Sequence, residues 1–501
     1  MTALCAIDGR GVRRRLDDRA EVVVIGSGPA GATVAADLAR AGLTVIVVEE
    51  GHHHPPETFG ASGVRAMAAL YRDMGTSLAF GNLSMPYLQG RAVGGTSVIN
   101  GAICWRLPPE VLAAWAAADP ALADALPPEV IAAHEARLEA RLGVHPTPAE
   151  IAGAKNLLLA RGAATTEVAH RPIRRNVDGC VGSGRCLQGC PHGAKLSMER
   201  TLLPDAVAGG ARIFAGLRAE RIVVERGRAV AVRGTTAAGA PFAIAATRAV
   251  VVAASAIQTP CLLRASGLGH GPVGDGLSAH PGVSVTGRFD EPVANWRGAS
   301  QGHEVTGYRE FGIKLEALGM DLGLVASRVP GVGPGFARRL AELDRYAVWG
   351  AAIRADARGR VRPGRRPLVT YSLTPDDVRK TRRGVRLLCE QLLAAGAREV
   401  YPGIAGFDPV LRDRAELPRL ERDAPLTPSA YSMSMTHLFG TARMGSDPAR
   451  SVVRPDFRHH TTAALYVADS SVFPSNTGVN PMIAIMAMAA RCAERVAAAG
   501  P

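Results

Sequence analysis

The stretch EVVVIGSGPAGATVAADLARAGLTVIVVEEG, residues 21–51, constrains the fold more than any other part of the chain. A β-branched run, VVVI, leads into a glycine-rich turn, then into an alanine-rich amphipathic segment, then into a second apolar run that ends in acid. Periodicity of two, then 3.6, then two predicts strand, helix and strand in one βαβ unit. Gly26, Gly28 and Gly31 form G-x-G-x-x-G at the first turn. The first glycine permits the tight turn, the second lets backbone approach a diphosphate, and the third lets the helix pack close on the strand. An anion then sits at the positive end of the helix dipole. Glu49, closing the second strand, is placed to hold ribose hydroxyls, so the pattern predicts dinucleotide binding.

A chain of 501 residues with 47% apolar content predicts two domains or one large elaborated one. The formal charge of +13 is spread along the chain as Arg, with Lys at only four positions. No basic block is interleaved with aromatics, so nucleic-acid binding is not expected. No uncharged apolar run reaches the ~18 residues of a membrane span. The basic GVRRRLDD near the start leads into the first strand and not into a signal-type apolar core, so a cytoplasmic location is expected. Cys5, Cys104, Cys261, Cys389 and Cys492 each stand alone among apolar neighbours and read as small core residues.

Three further motifs follow in order. GRAVGGTSVINGAICWR (90–106) is a second glycine-rich loop; SAIQTPCLLRASGLG (255–269) and THLFGTARMG (436–445) are the others, the last followed by LYVADSSVFPSNTGVNPMIAIMAMAARCAERV. On these residues the chain resembles the glucose-methanol-choline (GMC) family of FAD oxidoreductases. The first family signature is met by Gly90, Arg91, Gly94, Gly95, Thr96, Ser97, Asn100 and Gly101, and the second by Ser255, Ala256, Thr259, Pro260, Ser266, Gly267 and Gly269.

The resemblance implies an α/β fold: a discontinuous Rossmann-like FAD-binding domain from 1–110, 196–284 and 436–501. An α+β substrate-binding domain with an antiparallel sheet would come from 111–195 and 285–435. It implies FAD contacts from Gly26, Gly28, Gly31, Glu49, Arg91, Gly94, Gly95, Thr96, Asn100, Ala219, Ala468, Asp469, Pro481 and Met482. Members that tether FAD covalently use a His where this chain has Ile99, which implies a non-covalent flavin. Locally, EVIAAHEARLEARLG predicts a helix, ARIFAGLRAERIVVERGRAVAVRG two strand runs around a turn, and PMIAIMAMAARCAERVAAAG a buried closing helix.

Oxidising an alcohol removes a hydroxyl proton and a hydride from one carbon, so the protein must supply a base and a hold on the oxygen. The residues matching the family's catalytic pair are His437 and Asn480. His437 would take the proton, and Asn480 would hydrogen-bond the substrate oxygen, with Pro481 opening the last helix. His280, in SAHPG, matches a family loop position and is expected to be structural. The run His52, His53 and His54 lacks companion ligands for a metal.

Cys180, Cys186 and Cys190 form C-x5-C-x3-C-P. The pattern leaves four readings open: buried thiols, a disulfide between two of them, a zinc site, or an iron–sulfur cluster. The segment looks like that of long-chain alcohol oxidases. It is also similar to FAD-dependent glucose dehydrogenases, in which three cysteines hold a [3Fe–4S] cluster, although Val181 stands where those carry an extra Cys.

The reading that results is FAD-dependent oxidation of a hydrophobic or bulky small-molecule alcohol to a carbonyl, with oxygen, a quinone or a redox protein as electron acceptor. Its rivals are a lyase that keeps FAD as architecture and an electron-transferring flavoprotein with an iron–sulfur cluster.

Overall fold

A computed structural model describes residues 4–60, 62–364 and 366–500. Two sheets organise it. In the first, the strands Leu16–Ile25 and Val45–Glu49 lie parallel, in register from Val22 against Val45 to Ile25 against Val48. The helix Pro29–Arg40 joins them, as the glycine pattern requires. Their neighbours are Arg212–Ala215 beside Val45–Glu49 and Pro241–Val252 beside Leu16–Ile25, both parallel. Beyond Pro241–Val252 the sheet turns antiparallel through Arg228–Thr236 and Leu217–Glu225. The short strand Leu465–Val467 also pairs with Pro241–Val252, which ties the C-terminal region into the dinucleotide sheet.

The segment 211–234 therefore holds three strands and not the expected two, because Gly216, at φ +70°, breaks the run after Ala215. The predicted helices at Pro128–Arg141 and Met482–Ala498 are present. The C-terminal helix packs beside Pro29–Arg40, and its first residue, Met482, accepts a hydrogen bond from Asn100. Both faces of this parallel sheet are covered, which is why its strands read as unbroken VVVI and VIVV.

The second sheet has the long strand Asp275–Arg288 at its centre, paired antiparallel with Tyr346–Ile353 and with Met433–Phe439. Ile313–Ala317 pairs with Tyr346–Ile353 on the far side. The helix Pro375–Ala394 crosses this sheet, started by a capping box between Thr374 and Asp377. Trp349, fully buried, sits in the second core.

The packing cuts differently from the sequence divisions. Leu112, Trp115, Ile131 and Leu138, from 111–195, join the first core, whereas Ala79 and Met85, from 1–110, join the second. Among the single cysteines, Cys104, Cys389 and Cys492 are buried, Cys261 is half-buried, and Cys5 is exposed, contrary to its core reading. Among the described residues no helix is long and apolar enough to cross a membrane.

Gly31 shows how tightly the first unit closes: a Cβ there would lie 1.9 Å from the carbonyl oxygen of Gly26. Backbone cannot yield as a flexible side chain can. Gly31→Ala is therefore expected to lower the melting temperature and abolish flavin retention, whereas Gly11→Ala, with open space around its Cβ, leaves both unchanged. An unaltered melting curve and flavin content for Gly31→Ala would contradict this packing.

Candidate active site

Two glycine loops meet at the start of the helix Pro29–Arg40. Gly95, at φ +57°, lies so close that a Cβ on it would be 2.7 Å from Cα of Gly28. A Cβ on Gly28 would meet only Cα of Gly95, at 3.9 Å. No side chain caps this helix, so its first N–H groups face an open cradle. That is the donor set a diphosphate requires, and the residues present fit an FAD.

Glu49 is buried, and both of its carboxylate oxygens already accept hydrogen bonds: Oε2 from the Ser27 amide and hydroxyl at 3.0 and 2.7 Å, Oε1 from the Gly51 amide at 2.7 Å. The Ser27 hydroxyl accepts in turn from the Gly94 amide at 3.0 Å, joining the two loops. Glu49 thus braces the cradle from beneath. The next residue, Glu50, is ion-paired to Arg72 at 2.8 Å and lies 3.6 Å from Arg91, so the two acids of EEG divide between brace and charged rim.

The other expected contacts fall into three places. Thr96 accepts from the Gly90 amide at 3.0 Å, closing the second loop on itself, and the Asn100 amide donates to Sδ of Met482 at 3.2 Å, binding that loop to the last helix. Pro481 is the N-cap of that helix. Ala468 donates its amide to Val252, and the carboxylate of buried Asp469 is used internally, accepting from Ser255 N, the Thr259 hydroxyl and Ser471 N. Ala219 lies on the edge strand Leu217–Glu225, which touches Val45–Glu49. Ile99 is buried and offers no nucleophile.

His437 and Asn480 come together although they arrive on different elements. His437 belongs to the strand Met433–Phe439 and takes φ +53°, a left-handed conformation that a non-glycine residue adopts at a cost. Asn480 precedes the last helix. Nδ2 of Asn480 lies 3.4 Å from Nε2 of His437. On its other edge, Nδ1 of His437 is 3.0 Å from Nδ1 of His280, with the rings at 76°.

His280 is thus neither in a loop nor remote from the chemistry. It sits within the strand Asp275–Arg288, and its Nε2 accepts from the Gly478 amide at 2.9 Å. That bond leaves the His280 proton on Nδ1, directed at His437, and the resting His437 proton on Nε2. Burial first, and the Lys314 charge second, push the His437 imidazolium down to about 3, so His437 is a neutral imidazole. His280 is likewise held well below its ordinary value, mainly by burial.

Sequence reasoning missed Lys314, Glu304 and Glu316, which lie behind Asn480. Lys314, fully buried, donates to Oδ1 of Asn480 at 2.6 Å and is 2.9 Å from carboxylates of both Glu304 and Glu316. The only available signal was scarcity: Lys314 is one of four lysines in the chain.

Chain order, fold and loop geometry now point one way. The GMC oxidoreductase sequence profiles match residues 23–282 and 355–489. The chain belongs to the GMC oxidoreductase family. It is accordingly a flavin-dependent oxidoreductase of a family that binds FAD. An uncharacterised GMC-type oxidoreductase of Mycobacterium tuberculosis is 38% identical over 495 residues, 96% of this chain and 76% of that one. A long-chain-alcohol oxidase of Arabidopsis thaliana is 28% identical over 496 residues, 94% and 67% of the two chains. Among solved structures, pyridoxine 4-oxidase from Mesorbium loti shares the fold at a TM-score of 0.71 and 18% identity, covering 95% of this chain and 98% of its own.

The three clustered cysteines form no disulfide. Among the described residues, no three His, Cys, Asp or Glu side chains gather as a metal-holding set, so neither the zinc nor the [3Fe–4S] expectation finds its ligands. Instead the buried Arg175 guanidinium reaches both Cys186, at 3.1 Å, and Cys180, at 3.8 Å. Burial would raise the Cys186 thiol, but Arg175 and Lys195 outweigh it and hold the thiol below its ordinary value. Lys195 ties this segment to the flavin loop, donating to the carbonyls of Cys186, Val98 and Asn100 at 2.8, 2.6 and 3.0 Å.

Removing that buried strut strands three carbonyls beside the cradle. Lys195→Met is expected to release flavin during gel filtration, with occupancy below half that of the parent protein. Full retention would show that the strut does not shape the cradle.

Proposed function

We propose that this GMC oxidoreductase oxidises a small-molecule alcohol, hydrophobic or bulky, to a carbonyl at the site formed by His437 and Asn480. The observation that carries the reading is the pair itself: a neutral, buried imidazole in a left-handed conformation, 3.4 Å from an amide that stands two residues before Met482, whose sulfur accepts from Asn100 of the second glycine loop. Gly26, Gly28, Gly31, Gly94 and Gly95, with Asn100 and Met482, would hold the FAD non-covalently, and bound FAD supplies the hydride acceptor.

The remaining work falls to the side chains. The substrate oxygen sits where Nε2 of His437 and Nδ2 of Asn480 converge. For proton abstraction both rings change tautomer together: His437 holds its proton on Nδ1 and donates it to Nδ1 of His280, His280 holds its own on Nε2 in place of the Gly478 hydrogen bond, and Nε2 of His437 is left free to accept. In the resting tautomer both groups donate, which suits the carbonyl oxygen of the product. The Asn480 amide holds the oxygen and thereby the carbon that gives up hydride.

Long-chain substrates are what the Arabidopsis relatives are named for, and that similarity supports the hydrophobic alternative. Electrons would then leave to oxygen, a quinone or a redox protein.

The test is anaerobic reduction of the purified flavoprotein by primary alcohols from ethanol to 1-dodecanol. The rate is expected to rise with chain length, and His437→Ala to lower the limiting rate by about 10²–10⁴-fold, the worth of a positioned base. Asn480→Ala is expected to cost about 10²-fold. No reduction by any alcohol, or full rates in both variants, would refute the reading.

The pH profile provides a separate check. A base whose folded-state pKa is depressed stays in its working form until pH falls through that lowered value. With His437 near 3, the limiting reduction rate should be flat between pH 5 and 7. An acid limb near 6.5, the ordinary histidine value, would mean that His437 is not so held.

A further inference from the structure

We propose that Lys314 is a positioning residue for Asn480: its ammonium fixes which end of the Asn480 amide faces His437 and the substrate. The inference rests on the preceding reading of Asn480 and goes beyond it.

An amide side chain presents nearly the same shape whichever way it is turned, and only its hydrogen-bond partners decide between oxygen and nitrogen. His437 is not what turns the nitrogen toward itself, because with its resting proton on Nε2 it would favour the carbonyl end of the amide. Lys314 turns it there. An ammonium has three donors and no lone pair, so it accommodates only the carbonyl end of an amide.

Here the three donors meet three acceptors: Oδ1 of Asn480 at 2.6 Å, Oε2 of Glu316 at 2.9 Å and Oε2 of Glu304 at 2.9 Å. The carboxylates are themselves tied down. Glu304 accepts from Trp105 Nε1 at 2.8 Å and Arg171 Nε at 2.9 Å, and Glu316 accepts from Gln301 at 2.8 Å. With Lys314 buried and saturated, it cannot swing away, and Nδ2 of Asn480 is left pointing at His437.

The choice of residue supports a specific role. Arg far outnumbers Lys in this chain, yet Lys155, Lys195 and Lys314, three of its four lysines, are fully buried. A compact ammonium can gather three acceptors around one point, which a planar guanidinium cannot do. Scarce lysine thus appears where a point charge is needed, and Lys314 is the one that touches Asn480.

The experiment uses the flavin-loaded enzyme and the alcohol that reduces it fastest in the series above. Lys314→Met is compared with Lys314→Met/Glu316→Gln, which removes the carboxylate left without its cation while Glu304 keeps Arg171 and Trp105. In the double variant, flavin content and the dissociation constant for the alcohol should stay within about threefold of the parent. The limiting reduction rate should fall about 10- to 100-fold, the scale of a small misplacement of a catalytic group. Adding Asn480→Ala to the double variant should give a rate no lower than that of Asn480→Ala alone, since both remove one function.

A flavin-loaded double variant with the parent's limiting rate would overturn the proposal, as would losses that multiply with those of Asn480→Ala. The two readings separate cleanly. If Asn480→Ala itself reduces at the parent rate, the reading of Asn480 fails and takes this one with it; if Asn480→Ala is slow and the Lys314 variants are fast, only Lys314 is misassigned.

Discussion

The approach of two glycine loops is the constraint on which the rest of the structure depends. Gly95 comes so near Gly28 that a Cβ on it would lie 2.7 Å from Cα of Gly28, and the cradle exists because no side chain fills it. Each surrounding feature keeps those loops in place. Ser27 and Glu49 fasten the first loop to the second from below, Lys195 pulls the second toward the cysteine segment, and Asn100 anchors it to the final helix. Because that helix packs on Pro29–Arg40, fixing the cradle also fixes Asn480, one residue before its N-cap.

This dependence explains what was legible in the sequence. The βαβ unit could be read because its glycines answer a steric demand that no other residue meets, and because a sheet covered on both faces leaves uninterrupted apolar runs. The pairing of His437 with Asn480 came from resemblance and not from spacing, since 43 positions separate them and a sheet and a helix must fold before they meet. The loop position of His280 likewise comes from the resemblance. Yet Pro281 and Gly282 continue the strand, pairing with Met435 and Ser434.

Other features were out of reach for physical reasons. Whether Glu49 touches a ribose or braces a loop depends on which donors approach it, and those donors lie on Ser27 and Gly51. The three cysteines have spacing that suits a cluster, but spacing does not show which way a neighbouring side chain turns. Arg175, on the strand Arg174–Asn176 just before Cys180, turns its guanidinium against two of the sulfurs. Residues such as Lys314 leave no local pattern at all: on the strand Ile313–Ala317, in the segment IKLEA, its charge alternates with apolar residues as on any half-exposed strand, although every residue of that strand is buried.

Buried lysines carry a cost that the structure meets in different ways. Burial pushes Lys195 down to about 8 although Cys186, Glu199 and Cys190 oppose it, and burial pushes Lys155 down to about 7. Lys314 is held above its ordinary value despite full burial, because two carboxylates surround it. The distinction bears on chemistry. A lysine near neutrality would gain and lose charge with pH and carry the adjacent amide and imidazole with it. One clamped between Glu304 and Glu316 stays cationic across the working range, so its field on His437 is constant, and the imidazole keeps its neutral form without any change in neighbouring charge. A fixed cation behind the amide and a depressed base before it therefore work as one electrostatic arrangement, built from residues on three separate strands and the loop that opens the last helix.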